Sequence, residues 1–255
     1  MSPAPASEVT LGRRLLAEGL GTALLVAAVV GSGIAAQALS PHDTGLALLE
    51  NAIATGAVLY VLILLFGPVS GAHFNPVVTG VDAVLGGLNR RDVGPYVLVQ
   101  VLGACAGAIL ANLMFGLGAV TVAQHVRGGS GVLLSEVVAT FGLLLVILGL
   151  VRRGRSSYVA GAVAAYIVGA YWFTASTSFA NPAVTIGRTL SDTFAGIAPS
   201  SVPGFVVAQV VGAALATVIA VVLWPTPSTC TANSDERPSH GRRLFVHAHL
   251  TSCAA

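Results

Sequence analysis

Apolar residues run along this chain in long blocks rather than alternating with polar ones. Stretches free of Asp, Glu, Lys and Arg cover 19–42, 51–72, 93–124, 156–187 and 193–234, and a further apolar run, 128–151, is broken only by Glu136. A block of about twenty apolar residues spans the ~30 Å hydrocarbon core of a bilayer as a helix. The pattern predicts six crossings: Leu11 to about Gln37, Leu46 to Phe66 (stopped at Gly67-Pro68), Tyr96 to about Phe115, Val132 to Val151, Tyr158 to about Thr174, and Val202 to Trp224, where Pro225 and Pro227 follow.

Two shorter helical starts lie between these spans. Asn75-Pro76 and Asn181-Pro182 each pair a preferred helix N-cap with the residue best tolerated at the first helical position. Each opens an apolar run that soon meets a charge, on the order of 16 Å in the first case at 1.5 Å per residue, about half a bilayer. The surrounding sequence repeats as well. Glu18-x-x-x-Thr22 recurs as Glu136-x-x-x-Thr140, and Gln100-Val-Leu-Gly-Ala recurs as Gln209-Val-Val-Gly-Ala. Each half reads Glu…Thr, Asn-Pro, Gln-x-x-Gly-Ala in the same order. With three crossings per half, the halves stand inverted in the membrane, an arrangement that marks a site near the midplane. The expected fold is therefore an all-α membrane protein with six transmembrane helices, two half-helices and an inverted repeat. Its parts are a segment 1–10, a channel domain 11–224 (repeats 11–116 and 131–224) and a disordered tail 225–255.

The boxes Asn75-Pro76-Val77 and Asn181-Pro182-Ala183, with this repeat around them, resemble the aquaporin (major intrinsic protein) family over roughly residues 11–224. There two such boxes start half-helices that meet at mid-membrane. The resemblance implies a passive pore, one per subunit of a homotetramer in the cell membrane, with membrane lipid around it and small neutral solutes as cargo. The asparagine oxygens would cap the half-helices while their amide N–H groups face the solute. The two positive helix ends would oppose cations. The resemblance also makes Glu18 and Glu136 structural acceptors for irregular backbone; a carboxylate in an apolar span is otherwise a functional candidate, such as a proton relay in a coupled transporter. His73 reads as local architecture at the pore mouth, and the small residues Gly19, Gly21, Gly103, Gly107 and Gly212 as close-packing positions.

The chain departs from the family at the constriction. Three residues after the second Asn, where most members carry Arg, stands Val184, and Arg188 is about one helical turn further on. Carried over by spacing, the remaining ring positions are Thr55, Gly169 and Ser178. A ring of Thr55, Gly169, Ser178 and Val184 is small and uncharged, which points to a wide pore for glycerol-like polyols and neutral metalloid acids such as arsenous acid or methylated arsenicals. A largely non-conducting member of the family is the remaining alternative.

Composition and charge add limits. The 255 residues are 55 % hydrophobic and 9 % charged, far below the roughly 25 % charged of soluble domains. A net charge of +2 offers no nucleic-acid surface. Nothing forms a catalytic triad, phosphate loop, cofactor motif or metal-ligand set; Cys105, Cys230 and Cys253 are too scattered for a disulfide framework. All twelve cationic residues are Arg. Ten of them fall on one side if both termini are cytoplasmic, leaving Arg127 and Arg188 outside, as the positive-inside rule requires. Residues 1–10 do not read as a signal peptide. In the tail, Arg243–His249 is faintly similar to the first strand of a thiol-dependent arsenate reductase, and His247, His249 and Cys253 read as a floppy cytosolic end rather than a metal site.

Overall fold

The computed structural model describes residues 9–225. The expected features of the tail, including its reductase-like run, lie outside the described residues, as does most of the first ten. Eight α-helices follow in order: α1 Leu11–Leu39, α2 Thr44–Ser70, α3 Pro76–Val84, α4 Val93–Met114, α5 Ser130–Arg152, α6 Val159–Phe173, α7 Pro182–Gly187 and α8 Val202–Leu223. Six helical segments, containing α1, α2, α4, α5, α6 and α8, are long and apolar enough to cross a membrane. No strand occurs among the described residues.

Helix α2 differs from the sequence reading. It does not stop at Gly67-Pro68 but runs through Pro68 to Ser70, where Gly71 at φ 90° caps it in the left-handed region. A proline removes one backbone donor and crowds the carbonyl four residues back. One turn from the end, that disturbance is confined to the Leu64 carbonyl and the helix survives it.

The short helices α3 and α7 have nine and six residues, so neither reaches half-way through a ~30 Å core. Each packs against the last long helix of both repeats: α3 on α4 and α8, α7 on α8 and α4. Helix pairs α1–α4 and α5–α8 approach closely because they meet through glycine. A Cβ on Gly103 would stand 2.4 Å from the Gly19 carbonyl oxygen, and one on Gly212 would stand 2.4 Å from the Val137 carbonyl oxygen. In lipid, where helix association rests on packing rather than on water exclusion, such close backbone contact is a main source of cohesion. Gly21 makes room of another kind, since a Cβ there would overlap the ring of Phe74, the residue before Asn75.

Gly103→Ala is expected to destabilise by about 1–3 kcal/mol, because backbone rather than a movable side chain must yield. Gly94→Ala, on the same helix with nothing within 4 Å of the added carbon, should be neutral. Thermal unfolding of the detergent-solubilised protein, followed by circular dichroism, would separate the two.

Candidate functional site at the meeting of the half-helices

Asn75 and Asn181 cap the two half-helices as their sequence context predicts. Asn75 Oδ1 accepts from Val77 N at 3.1 Å, and Asn181 Oδ1 accepts from Ala183 N at 3.0 Å and Val184 N at 3.3 Å. The caps also hold each other. Asn75 Nδ2 donates to the Ala180 carbonyl at 2.8 Å and Asn181 Nδ2 donates to the Phe74 carbonyl at 2.8 Å. Each carboxamide has two N–H donors, so one on each asparagine is engaged across the junction and one is left toward the cavity.

This clasp needs unusual backbone. Ala72 and Phe74 before Asn75, and Ser178 and Ala180 before Asn181, all have φ between 48° and 51°, at matching offsets from the two asparagines. Left-handed backbone in non-glycine residues costs roughly 1–3 kcal/mol each and persists only where its surroundings enforce it. The enforcing groups are the two buried carboxylates. Glu18 Oε1 accepts from His73 N at 2.9 Å and Ser70 Oγ at 2.6 Å, while its Oε2 accepts from Phe74 N at 2.7 Å and Gln100 Nε2 at 2.8 Å. Glu136 accepts from Phe179 N and Ala180 N, both at 2.9 Å, and from Gln209 Nε2 at 2.6 Å. The two glutamines reach on to the half-helices, Gln100 to Thr79 Oγ1 at 2.9 Å and Gln209 to Thr185 Oγ1 at 3.0 Å. The repeats thus carry one bonding scheme twice. Sequence reading gave no role to Thr79 and Thr185, although each closes the repeated box four residues after its Asn.

Beside this junction runs a cavity of about 540 Å³. It opens where α5 ends and α6 begins, near Val151, Ser156 and Ser157, passes Asn75 and Asn181, and ends among Thr55, Tyr171, Ser178, Val184 and Arg188. Its wall is mainly aliphatic, with Leu59, Val163 and Ile167 among its residues. Pro76, Val77, Pro182 and Ala183 lie behind the wall, within the half-helices. Toward this opening, His73 Nδ1 lies 3.1 Å from Thr79 Oγ1 and Nε2 lies 3.5 Å from Asp82. Beyond the other end lies a vestibule of about 480 Å³, lined in part by Asn51, His125, Arg127, Asp192 and Arg188.

Three of the four residues expected at the constriction, Thr55, Ser178 and Val184, line the end of the main cavity. Gly169 does not. It is exposed on the outer side of α6 and no atom comes within 4 Å of a Cβ built on it. The residue of α6 at that end is Tyr171, 3 % exposed, whose hydroxyl donates to Thr55 Oγ1 at 3.3 Å. Counting back from Asn181 misplaces the register by two residues, because the connection from Thr174 to Ala180 leaves the helix and turns twice through left-handed backbone. Ser178 Oγ is buried with no hydrogen-bond partner among the described residues.

With this geometry in view, comparison with known proteins is decisive. The family model for Major intrinsic protein matches residues 5–178. The chain belongs to the major intrinsic protein family. It is 54 % identical over 217 residues to the aquaglyceroporin AqpS of Rhizobium meliloti (strain 1021), covering 85 % of this chain and 91 % of that one. It is 33 % identical over 239 residues to the probable aquaporin AqpM of Archaeoglobus fulgidus, covering 82 % and 95 %. The aquaglyceroporin of Plasmodium falciparum, solved by X-ray crystallography, shares the fold with a TM-score of 0.67 at 21 % identity, over 85 % of this chain and 98 % of that one.

In the family frame, the vestibule side is distinguished by its charges. His125, in the connection between α4 and α5, is held below the ordinary histidine range by burial and by Arg127 and Arg188, against a smaller upward pull from Asp192. A histidine whose folded value is depressed keeps its full contribution to stability above the unfolded value of about 6.5 and loses it as pH falls through that window.

Two outcomes test the site. In Glu136→Gln an amide N–H must face a backbone N–H, leaving buried donors unmatched at roughly 1–3 kcal/mol apiece, so thermal unfolding in detergent should drop by several degrees; a Glu136 that only relayed protons would leave it unchanged. NMR titration of His125 should give a midpoint below that of free histidine and a higher one in Arg127→Gln.

Proposed function

We propose that this protein is a passive channel for small neutral solutes, water and glycerol-like polyols among them, and neutral metalloid acids such as arsenous acid. The observation that carries this reading is the 540 Å³ cavity, which passes both asparagine caps and whose wall is apolar apart from single hydroxyls, carboxamides and a few ionisable groups toward its ends. A solute moving along it meets few groups that would hold it, and one free asparagine N–H from each half-helix to replace lost water. The similarity to aquaglyceroporin AqpS supports the polyol class.

The constriction in this reading is Thr55, Tyr171, Ser178 and Val184. It offers hydroxyls on three sides and an apolar fourth, which suits a molecule bearing hydroxyl groups along one edge of a carbon or metalloid centre. Among the described residues Arg13, Arg14, Arg90, Arg91, Arg152, Arg153 and Arg155 stand at one end of the six crossings and only Arg127 and Arg188 at the other, which favours a cell-membrane channel with that end in the cytoplasm, and the family resemblance favours a homotetramer. Neither buried carboxylate lines the cavity, and both Glu18 and Glu136 are 0 % exposed with both oxygens accepting hydrogen bonds. That favours passive flow over coupling to protons.

Stopped-flow light scattering on proteoliposomes tests the reading. Water efflux and re-entry of glycerol and arsenous acid should all exceed those of empty liposomes, without dependence on a pH gradient. Val184→Arg should reduce solute re-entry by tenfold or more while reducing water flux less. Equal loss of both, or uptake that needs a proton gradient, would overturn it.

A further inference from the structure

We propose that Arg188 is the charge filter of this pore, relocated one helical turn outward from the position that Val184 occupies. The inference deepens the neutral-solute reading and rests on it.

Arg188 is the one residue common to the walls of the main cavity and the outer vestibule. Its side chain therefore stands where the two cavities adjoin. That side chain is 2 % exposed, yet it is not neutralised by a carboxylate. The ion pairs among the described residues are Arg14–Asp92 and His73–Asp82. Its Nε donates to the Ala195 carbonyl, and its guanidinium carbon lies 3.5 Å from the centroid of the Phe179 ring. Among the described residues the two terminal nitrogens have no hydrogen-bond partner. A buried charge is ordinarily paired, or neutralised by gaining or losing a proton; arginine cannot lose its proton readily, so a guanidinium left open between two cavities faces what moves through them.

The surroundings fix it there. Gly187, the residue before it, sits so close to α4 that a Cβ would stand 2.7 Å from the Ala104 backbone, which seats the end of α7. Arg127 acts as the positioning residue. Its Nε donates to the Gly196 carbonyl at 2.9 Å and a terminal nitrogen donates to the Phe194 carbonyl at 3.2 Å, so it holds the segment whose Ala195 carbonyl receives Arg188. Its own guanidinium lies 5.4 Å from the same Phe179 ring. The aromatic face absorbs part of the charge of both arginines. Among the described residues Asp192 is the only acid on the vestibule wall, against Arg127, Arg188 and His125, and its carboxylate accepts from the Gln124 backbone at 2.9 Å. A cation therefore meets unbalanced positive charge on entry and again at the junction, where low polarizability and confinement strengthen repulsion. A neutral solute of similar size meets instead the N–H donors of the two terminal nitrogens.

The test is a charge swap in full-length protein reconstituted in proteoliposomes, read as methylammonium permeability against glycerol and water. Wild type should pass glycerol and reject methylammonium at neutral pH. Arg188→Val should raise the methylammonium-to-glycerol ratio on the order of tenfold or more, and Arg188→Val with Val184→Arg should restore rejection by returning the charge inward. Arg188→Gln, which keeps a planar group on Phe179, serves if the valine variant has no water flux and so has not folded; it should leak as well. An Arg188→Gln or Arg188→Val protein that conducts water yet still rejects methylammonium would overturn the assignment. A wild type that conducts water but no glycerol would sink the solute reading alone, because the methylammonium-to-water ratio still tests Arg188.

Discussion

Everything at the centre of this protein depends on giving hydrogen-bond partners to backbone that is not helical, at a depth where lipid offers none. Unsatisfied peptide groups in hydrocarbon cost several kcal/mol each. Two half-helices that start at mid-membrane expose such groups by construction: the first N–H groups of each helix and the turn leading into it. Glu18 and Glu136 meet the need for the turns, Asn75 and Asn181 for the helix starts. A carboxylate is suited to this task because it accepts at both oxygens and donates nothing. Two backbone N–H groups, held side by side in left-handed backbone, find in it both an acceptor and a fixed direction. The burial cost of the charge and the strain of the turn offset each other's need for a partner, and neither would be tolerable alone.

From that constraint the rest of the architecture follows outward. Gln100 and Gln209 orient the carboxylates and tie them to Thr79 and Thr185 on the half-helices. These glutamines lie on α4 and α8, three residues before Gly103 and Gly212, whose missing side chains let α4 and α8 approach α1 and α5, the helices that bear Glu18 and Glu136. Polar network and glycine contact therefore depend on one another. Without the close approach the glutamine would not reach the carboxylate. Without the network the half-helices would have no reason to stay between the long ones.

Most of this was legible in the sequence because the residues that do it are chemically out of place there. A carboxylate or a carboxamide in an apolar span stands out, and its recurrence in the second half identifies a repeat. The six crossings and the two caps rest on such contrasts, whereas contrast alone left the glutamates open to a proton-relay role and only the family resemblance implied a structural one. What was not legible has a common cause. Thr79 and Thr185 are unremarkable within apolar runs, and their role is visible only when Gln100 and Gln209 arrive from elsewhere in the chain. Gly169 was placed by counting along a segment that is not regular, and a connection with Thr177, Ser178 and Ala180 in left-handed backbone does not preserve helical register. Helix α2 continued past Pro68 because the cap at Gly71 decides where it ends, and local composition ranks proline above glycine as a stop.

Arg188 shows the same limit at the point of greatest functional consequence. Motif spacing compares one position with one position, and by that measure the charge is missing at Val184. Space compares directions. The turn that ends α7 loosens into a 3-10 segment, Arg188–Leu190, and at its first residue the side chain can fold back beside Phe179, two residues before Asn181 in the chain. A long flexible side chain with a charged end covers several ångströms from its own Cα, so a shift of one turn along the helix need not move the charge by a turn's length along the pore. A charge at the junction can be supplied from either position, provided that an aromatic face and a carbonyl wait for it. The phenylalanine before the second box is then more than a packing residue. It holds a cation in the pathway where no carboxylate could do so without cancelling the charge that the pathway requires.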